Sequence, residues 1–463
     1  MGKVSIAFLG ATATVTGSRF LVTSEKSSVL IDAGLFQGLR EVRKLNWEPF
    51  PVEPSTIDAI VLTHAHLDHC GYIPLLVRNG FSKKIFSTSY TSKLATVILR
   101  DSAFLQMEDA KYAKEKGFSK HPIPLPLYDT EDVERTLAYF SPTNFRQKTQ
   151  ITEDASITFF PSGHILGAAF VLLEIDGRSL LFTGDMGRKS HPLLSSPDKP
   201  PQMVLDAIIT ESTYGDRVHE TPSSAFAQEI NKALKRGGSI LIPAFAVDRT
   251  EVILMALRDL IDKGEIPKIP IYVDSPMALT ALSFYREAVT NNSPEIREGV
   301  SERWRNADPF DSGTLVESRT VDESKALNEV KSQCIIISAS GMATGGRVVH
   351  HLAHMLPDPH NTVILVGFQA AGSRGRSLEE GQREIKIHGK WVSVSAAVAK
   401  VESFSVHADA GELVDWLGSA KKPNVAFIVH GEHDAQVALA EKLQSQLNWN
   451  AIIPKSGQVF ELT

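Results

Sequence analysis

Residues 57–69 are the most informative part of this sequence, and they read Ile57-Asp-Ala-Ile-Val-Leu-Thr-His64-Ala-His66-Leu-Asp68-His69. Its first half is an apolar run with the length and composition of a buried β-strand. Three imidazoles and a carboxylate follow at the point where that strand is expected to end. Imidazole nitrogens and carboxylate oxygens are preferred ligands of zinc. The spacing therefore predicts a metal-binding loop, and a polar loop with chance histidines is the weaker interpretation.

The order of these ligands favours two neighbouring metal ions over one. Alternate residues of an extended segment point to the same side, so His64 and His66 are expected to face one ion. Asp68 and His69 are expected to turn away as a helix begins at Cys70. We predict that Cys70 is a small buried residue and not a ligand.

Composition places the chain among ordinary globular proteins. Its 463 residues suit two to three domains, and its residues are 43% hydrophobic and 22% charged. The sequence has no run of eighteen apolar residues and no signal-peptide core, which predicts no membrane partner. Its two cysteines fit a reducing cytoplasm. A net charge of −6 gives no overall footprint for nucleic acid but leaves room for a local basic cleft.

Short apolar strands alternate with amphipathic helical patterns, which predicts an α/β architecture. The helices are expected at 223–236, 249–263 and 409–418. Candidate ligands lie where strands end, as is typical of sites in open α/β folds. The strands are predicted at 28–32, 156–160, 179–185, 206–211, 239–243, 334–338, 362–367 and 425–430.

Domain organisation follows from the distribution of these ligands. Stretches rich in proline and charge, around 191–202 and 306–325, are predicted to be loops or boundaries. The region between about 212 and 396 has no metal-type cluster, whereas the sequence on both sides has one. We therefore expect a metal-binding domain at 1–208, an inserted domain at 209–396, and the rest of the first domain at 397–463.

The ordered set of motifs resembles the metallo-β-lactamase fold, and within it the β-CASP ribonucleases. That group includes RNase J and the endonuclease subunit of the cleavage and polyadenylation specificity factor. The resemblance implies a four-layer αβ/βα sandwich with an inserted β-CASP domain of parallel-sheet type, and RNA in the cleft between them. The matching residues are Asp32, His64, His66, Asp68, His69, His164 and Asp185, followed by Glu211, His407 and His430 of the three β-CASP motifs.

The resemblance implies two zinc ions per chain. Two such ions, roughly 3.5–4 Å apart, can bridge a hydroxide and clamp a phosphoryl oxygen. Asp32 is expected to orient the ligand loop. The first ion would be bound by His64, His66, His164 and Asp185, and the second by Asp68, His69, His430 and the shared Asp185.

The predicted catalytic residues are Asp68, His407 and Glu211. The resemblance implies that His407 protonates the leaving oxygen and that Glu211 supports its charged form. Two alternatives stay open for His407: it caps the helix at 409–418, or it is itself a metal ligand.

Two glycine-rich turns are the predicted contacts to the substrate. Each follows a strand, and backbone N–H groups at a helix start can bind phosphate. The alternative is a plain strand-to-helix connection whose arginines brace the inserted domain. The predicted phosphate-binding residues are Ser340, Gly341, Thr344, Gly345, Gly346 and Arg347 in the first turn, and Arg374 and Arg376 in the second.

These observations predict a zinc-dependent ribonuclease that cuts single-stranded RNA internally, with 5′-exonuclease activity as an added option. DNA nucleases of the family typically have an apolar residue at the position of His430, so they are the weaker alternative. A small-molecule hydrolase would not need the arginine loops, and an inactive scaffold subunit would have lost ligands. A homo-oligomer is compatible with the sequence.

Overall fold

The computed structural model describes residues 2–116, 124–219, 225–330 and 333–462. Two units are distinguished in it. Unit 1 consists of Met1–Gln37, Glu41–Val218 and His407–Thr463, and unit 2 of Gly38–Arg40 and His219–Val406. Residues 223 and 224 of one predicted helix lie outside the described residues. The domain limits expected from the sequence stay a prediction.

Strands and helices alternate along most of the chain. The strands are β1 Val4–Phe8, β2 Phe20–Thr23, β3 Ser28–Ile31, β4 Ala59–Val61, β5 Lys84–Thr88, β6 Phe140–Thr143, β7 Thr149–Gln150, β8 Ala155–Pro161, β9 Ala169–Ile175, β10 Arg178–Phe182, β11 Ala207–Thr210, β12 Ile240–Pro243, β13 Ile271–Val273, β14 Leu315–Glu317, β15 Ile335–Ser338, β16 Thr362–Leu365, β17 Glu384–Ile387, β18 Lys390–Ser393, β19 Ala397–Lys400, β20 Val425–Ile428, β21 Ala451–Ile452 and β22 Val459–Leu462.

The helices range from single turns to one of 28 residues. They are α1 Arg40–Lys44, α2 Leu67–Cys70, α3 Ile73–Arg78, α4 Ser89–Lys116, α5 Thr130–Leu137, α6 Ala225–Arg236, α7 Arg249–Asp262, α8 Pro276–Thr290, α9 Val300–Arg303, α10 Val321–Ala326, α11 Arg347–Met355, α12 Arg374–Glu379, α13 Ala410–Gly418 and α14 His433–Leu447. Short 3-10 helices lie at Leu45–Trp47, Pro54–Thr56, Leu327–Glu329 and Glu402–Phe404.

Unit 1 contains two seven-stranded sheets with the orders β22-β1-β2-β3-β4-β5-β6 and β21-β20-β11-β10-β9-β8-β7. In both, an antiparallel part continues into a parallel part. The parallel strands matter most for the site, because their carboxyl ends lie at a common edge.

The core of unit 1 lies between its two sheets. Phe8 and Val22 of the first sheet belong to the same buried cluster as Phe159, Val171 and Leu173 of the second. Burial of such side chains stabilises the fold by about 1.5–3 kcal/mol each. Helices α13 and α14 cover the far side of the second sheet, and α4 packs on β5 and β6. Unit 1 therefore has the four layers αβ/βα that were predicted.

Unit 2 is built on a six-stranded sheet with the order β14-β13-β15-β12-β16-β19. The strand pairs described for this six-stranded sheet are parallel, as expected for the inserted domain. Continuous apolar strands such as β15 are buried along their whole length because helices cover a parallel sheet. Helix α11 packs Val348 and Leu352 against this sheet, and the hairpin of β17 and β18 joins the same core.

Two local predictions from the sequence are wrong. A helix was expected to begin at Cys70, but Cys70 is the last residue of α2 and the next helix, α3, begins at Ile73. Asp68 and His69 therefore lie within a helical turn. The stretch 306–325, predicted as a loop or a boundary, contains β14 and most of α10 and lies inside unit 2. A capping box between Thr320 and Glu323 starts α10, and this local signal is independent of hydrophobic periodicity. Among the described helices, none is both long and apolar enough to cross a bilayer.

Candidate metal centre

The predicted ligands come together in unit 1 because each lies just past a strand or in the loop that follows it. Strands β3 and β4 are parallel in one sheet, and β10, β11 and β20 are parallel in the other. Asp32 follows β3, Asp185 follows β10, and His430 follows β20. Residues hundreds of positions apart therefore meet at one edge of the sandwich.

A first donor group consists of His64, His66, His164 and Asp185, whose ligand atoms all lie within 4.8 Å of one another. The Nδ1 atom of His66 lies 3.1 Å from His64 Nε2 and 3.2 Å from His164 Nε2. The Oδ2 atom of Asp185 lies 3.4 Å from His64 Nε2 and 3.5 Å from His164 Nε2. The four side chains thus converge on one point.

A second donor group consists of Asp68, His69 and His430. The Nε2 atom of His430 lies 3.2 Å from His69 Nε2 and 3.3 Å from Asp68 Oδ2. Asp185 Oδ1 approaches this group, at 3.3 Å from His69 Nε2. One oxygen of Asp185 therefore faces each donor group.

Asp32 stands behind the second group and contacts the first through Thr63. Its Oδ2 atom lies 2.7 Å from His69 Nδ1, on the side of the ring opposite the donor nitrogen. It also accepts hydrogen bonds from the backbone N–H and the hydroxyl of Thr63, both at 2.8 Å. The Thr63 hydroxyl in turn lies 3.1 Å from His64 Nδ1. Such partners fix the orientation of ligand imidazoles.

The protonation of the first donor group suits a cation. Burial lowers the pKa of His64 to about 3 and that of His66 to about 4, and it lowers the pKa of His164 well below its ordinary value. Neutral imidazoles present lone pairs, and those of His64, His66 and His164 face one another at close range. Burial opposes ionisation of Asp185, yet the surrounding histidines hold its pKa well below its usual range. This donor set fits zinc.

His407 lies beside the first donor group. Its Nδ1 atom is 3.3 Å from Glu211 Oε1, and its Nε2 atom is 3.9 Å from Asp185 Oδ2. Glu211 is 1% exposed and also accepts a hydrogen bond from the backbone N–H of Met186 at 2.6 Å. Asp409, and not His407, caps α13, which excludes the capping alternative.

The predicted phosphate-binding arginines lie in unit 2 and have internal partners. Arg347 donates to Asp274 Oδ1 at 2.6 Å and to the carbonyl of Arg319 at 2.9 Å. Arg374 donates to the carbonyl of Lys386 at 2.9 Å. Arg376 Nε donates to the carbonyl of Gln369 at 2.7 Å. These bonds match the bracing alternative, and a phosphate would have to share the guanidinium groups with them.

The rest of the first turn is more open. Ser340 and Thr344 join their hydroxyls at 3.0 Å, and the Thr344 N–H donates to Ser340 Oγ. A Cβ added at Gly345 would meet no atom within 4 Å, whereas one at Gly341 would press on Phe245. Gly346 precedes α11 without a side-chain cap.

Sequence reasoning missed residues that hold the ligands without binding metal. Thr63 is one, and Thr213 is another, with its hydroxyl 3.2 Å from His430 Nδ1. A single threonine after a strand carries no pattern of its own. Two adjacent histidines of α11 have different surroundings. The buried His351 places its Nε2 atom 2.6 Å from Asp274 Oδ2, whereas the ring of His350 lies against that of His388 with the ring centres 4.5 Å apart.

Comparisons with known proteins match three stretches of the chain. Residues 15–214 match the metallo-beta-lactamase superfamily, residues 250–378 the Beta-Casp domain, and residues 391–454 the Zn-dependent metallo-hydrolase RNA specificity domain. These matches confirm the predicted fold class, the hydrolase class and the dependence on zinc. The number of zinc ions per chain stays a prediction.

Relatives that match over nearly the whole chain agree with these family matches. Ribonuclease TTHA0252 of Thermus thermophilus is 35% identical over 437 residues, which cover 94% of this chain and 94% of that protein. An RNase J-like protein of Methanocaldococcus jannaschii is 32% identical over 464 residues, covering 99% of this chain and 100% of that one. The chain belongs to the β-CASP family of the metallo-β-lactamase superfamily.

A solved structure shows the same fold at low sequence identity. A protein of unknown function from Enterococcus faecalis V583 has a TM-score of 0.53 and 13% identity, and the match covers 99% of this chain and 100% of that one. This likeness concerns the fold alone.

Proposed function

We propose that this protein is a zinc-dependent ribonuclease that hydrolyses phosphodiester bonds of single-stranded RNA, chiefly by internal cleavage. The observation that carries the proposal is the position of Asp185 between two donor groups, with one oxygen towards each. The relatives named as ribonucleases support RNA as the substrate. Complete donor groups argue against an inactive scaffold subunit.

The first group would bind one zinc ion and the second, with Asp185 shared, would bind another. When bound, zinc lowers the pKa of a water and withdraws charge from a phosphoryl oxygen. The protein holds the donors in place beforehand: Asp32 orients His69, and Thr63 lies against His64. Asp68 completes the second group and keeps a negative charge, because the hydrogen bond with His430 lowers its pKa although burial raises it.

His407 is proposed to carry the proton for the leaving oxygen. With Nδ1–H directed at Glu211, its Nε2 atom is the one that faces the first donor group. Glu211 is fixed by the N–H of Met186, so it holds the imidazole in one orientation and stabilises its charged form. A positioned acid of this kind is worth roughly 10²–10⁴-fold in rate.

The RNA backbone is proposed to contact the turn of residues 340–346 in unit 2. Support comes from the uncapped start of α11 and the open space at Gly345, where main-chain N–H groups can approach a phosphate. Phosphate contacts by Arg374 and Arg376 remain part of the proposal, whereas the bond of Arg347 to the buried Asp274 favours a bracing role for Arg347. The buried free cysteines Cys70 and Cys334 fit a cytoplasmic location.

The test uses the purified full chain with three substrates: 5′-labelled RNA, internally labelled RNA, and single-stranded DNA of the same sequence. Internal cuts in RNA that stop on chelation and return with zinc are expected. Release of mononucleotides from the 5′ end would shift the proposal to an exonuclease. Equal cleavage of DNA would overturn RNA specificity, and RNA cleavage that persists after full zinc removal would overturn the metal mechanism.

A further inference from the structure

Arg19 is a buried cation in unit 1 that the proposed chemistry does not use. It is 3% exposed, and burial lowers its pKa only to about 10, so it stays charged at neutral pH. Its guanidinium carbon lies 3.8 Å from the ring centre of Tyr72 and 4.6 Å from that of Phe36. Among the described residues no carboxylate forms an ion pair with it. Within the described part of the chain, the contacts that stabilise this charge are aromatic faces and neutral oxygens.

The described side-chain hydrogen bonds of Arg19 go to the loop of residues 34–36 and to Asn46, which supports that loop. Its Nε–H donates to the carbonyl of Gly34 at 2.9 Å, and Nη2 donates to Asn46 Oδ1 at 3.2 Å. The Asn46 amide then binds Phe36 on both sides, accepting from its N–H at 2.9 Å and donating to its carbonyl at 2.8 Å. Arg19 and Asn46 together fix the main chain of residues 34–36.

That loop holds the main chain of the second donor group. The N–H of Ala33 donates to the carbonyl of His69 at 2.7 Å, and that of Leu35 to the carbonyl of Leu67 at 3.0 Å. Between them Gly34 lies so close that an added Cβ would be 1.5 Å from the carbonyl oxygen of Asp68. The same Asp68 oxygen accepts from the N–H of Ser18, the neighbour of Arg19, at 2.9 Å.

The first donor group does not depend on this loop in the same way. His164 and Asp185 follow β8 and β10 of the other sheet, and His64 is held by Thr63. His66 is the one member joined to the second group through the main chain, because it is the N-cap residue of α2 and its carbonyl accepts from the His69 N–H. A change at Arg19 should therefore act on one donor group more than on the other.

We propose that Arg19 is a positioning residue that sets the main chain of Asp68 and His69 and thereby the metal affinity of the second donor group. The inference rests on the proposed two-zinc function. Loss of a group that orients metal ligands commonly weakens metal binding by roughly 10–100-fold. The effect is expected at one of two zinc ions and not at both.

The test is the substitution Arg19→Met in the full chain, which removes the charge and the donors but keeps an unbranched side chain. Zinc content is measured by elemental analysis across buffers of fixed free zinc, and Co²⁺ absorption reports ligand geometry. The first zinc should bind as in the wild type, while the second should bind roughly 10–100-fold more weakly with an altered Co²⁺ spectrum. Arg19→Lys, which restores a cation and one donor, should recover part of the affinity.

Arg178→Met is the matched control. Arg178 is partly buried, bonds Asp206 at 2.9 Å, and lies at the start of β10, at the other end of the strand from Asp185. It should leave both zinc affinities unchanged. If Arg19→Met does not fold, Asn46→Ala is the second variant. It keeps the Arg19 cation, removes the side-chain oxygen that accepts from Arg19, and should also lower the affinity for the second zinc ion.

The zinc content of the wild type tests the proposed two-zinc function, and the zinc affinities of Arg19→Met test the role of Arg19. A wild-type chain that binds a single zinc would overturn the two-zinc function, and the inference with it. A wild-type chain that binds two, beside an Arg19→Met variant with two unchanged affinities and only a lower melting temperature, would overturn the inference alone. Equal weakening of both ions would overturn it as well.

Discussion

His407 Nδ1 lies 3.3 Å from Glu211 Oε1, and the same carboxylate oxygen accepts a hydrogen bond from the Met186 N–H at 2.6 Å. The side chain of Glu211 is fully buried, whereas that of His407 is 16% exposed. One partner is thus held rigidly and the other reaches solvent. A proton can therefore enter and leave through His407 while Glu211 keeps the ring in place.

Replacing His407 by alanine should slow cleavage by roughly 10²–10⁴-fold and leave zinc bound. The reason is that the ring is proposed to donate the proton to the leaving oxygen and belongs to neither donor group. Single-turnover rates and zinc content measure the two effects, with the exposed His433→Ala as control. Glu211→Gln should show a smaller defect in the same direction. Stoichiometric loss of zinc from the His407 variant would make this residue a ligand.

The two donor groups should respond separately to substitution. His66→Ala removes a donor from the first group, and Asp68→Asn removes a charge from the second. Each should abolish cleavage and lower zinc content by about one ion per chain, because the remaining donors bind one ion poorly. Normal turnover by either variant in a zinc-depleted state would contradict a two-zinc site.

Zinc removal should destabilise the folded chain. A ligand that binds only the native state at a free concentration a hundredfold above its Kd stabilises it by about 2.7 kcal/mol. The melting temperature of unit 1 should therefore rise with free zinc in the wild type and rise less in His66→Ala. An identical melting temperature with and without chelator would mean that the donor groups are empty under both conditions.

Arg347→Ala should act on stability more than on RNA binding. Its Nη1 atom bonds the buried Asp274, and loss of a hydrogen bond to a buried charged group costs about 1.5–3 kcal/mol. We expect a lower denaturation midpoint and an unchanged slope of log affinity against log salt. Arg374→Ala and Arg376→Ala are measured beside it. A slope reduced by about 0.7 would reveal a direct phosphate contact in the variant that shows it.

Glu251→Gln should stabilise unit 2 at neutral pH. Glu251 is fully buried, no side chain among the described residues forms a hydrogen bond with its carboxyl, and burial and then Asp248 raise its pKa well above 4.5. Since the folded state holds this proton more tightly, wild-type stability falls as pH rises from about 4.5 through the raised pKa. The advantage of the variant should grow over that range and vanish near pH 4 (about the ordinary glutamate pKa).

Denaturation curves at several pH values, with the exposed Glu265→Gln as control, measure this difference. A Glu251→Gln variant that is no more stable than the wild type at any pH would show that the carboxyl has a partner in solution.

The donor positions were predictable because each lies in the loop or turn that follows an apolar strand. His164, Asp185 and His430 lie two or three residues past the ends of β8, β10 and β20, which run in the same direction within one sheet. The order of the ligands favoured two ions and the resemblance supplied the members of each group, while the structure adds that one Asp185 oxygen faces each group.

What the sequence did not reveal depends on burial and distant partners. Helix α2 has only four residues, too few for a hydrophobic period. Arg19 reads like any arginine beside a strand, and only packing shows that it is enclosed by rings. The partner of Arg347 is Asp274, 73 positions earlier, which no local pattern indicates. The neighbouring positions of β1 and β22 in one sheet are hidden for the same reason.

The chain order of the ligands gives the centre a built-in sequence of assembly. All four members of the first donor group have been synthesised once Asp185 leaves the ribosome, whereas His430 lies 361 positions after His69. A nascent chain can therefore gather the first group while the second still lacks a member, and unit 2 has to be translated in between. The second donor group is therefore complete only after β20 and the residues that follow it have been synthesised.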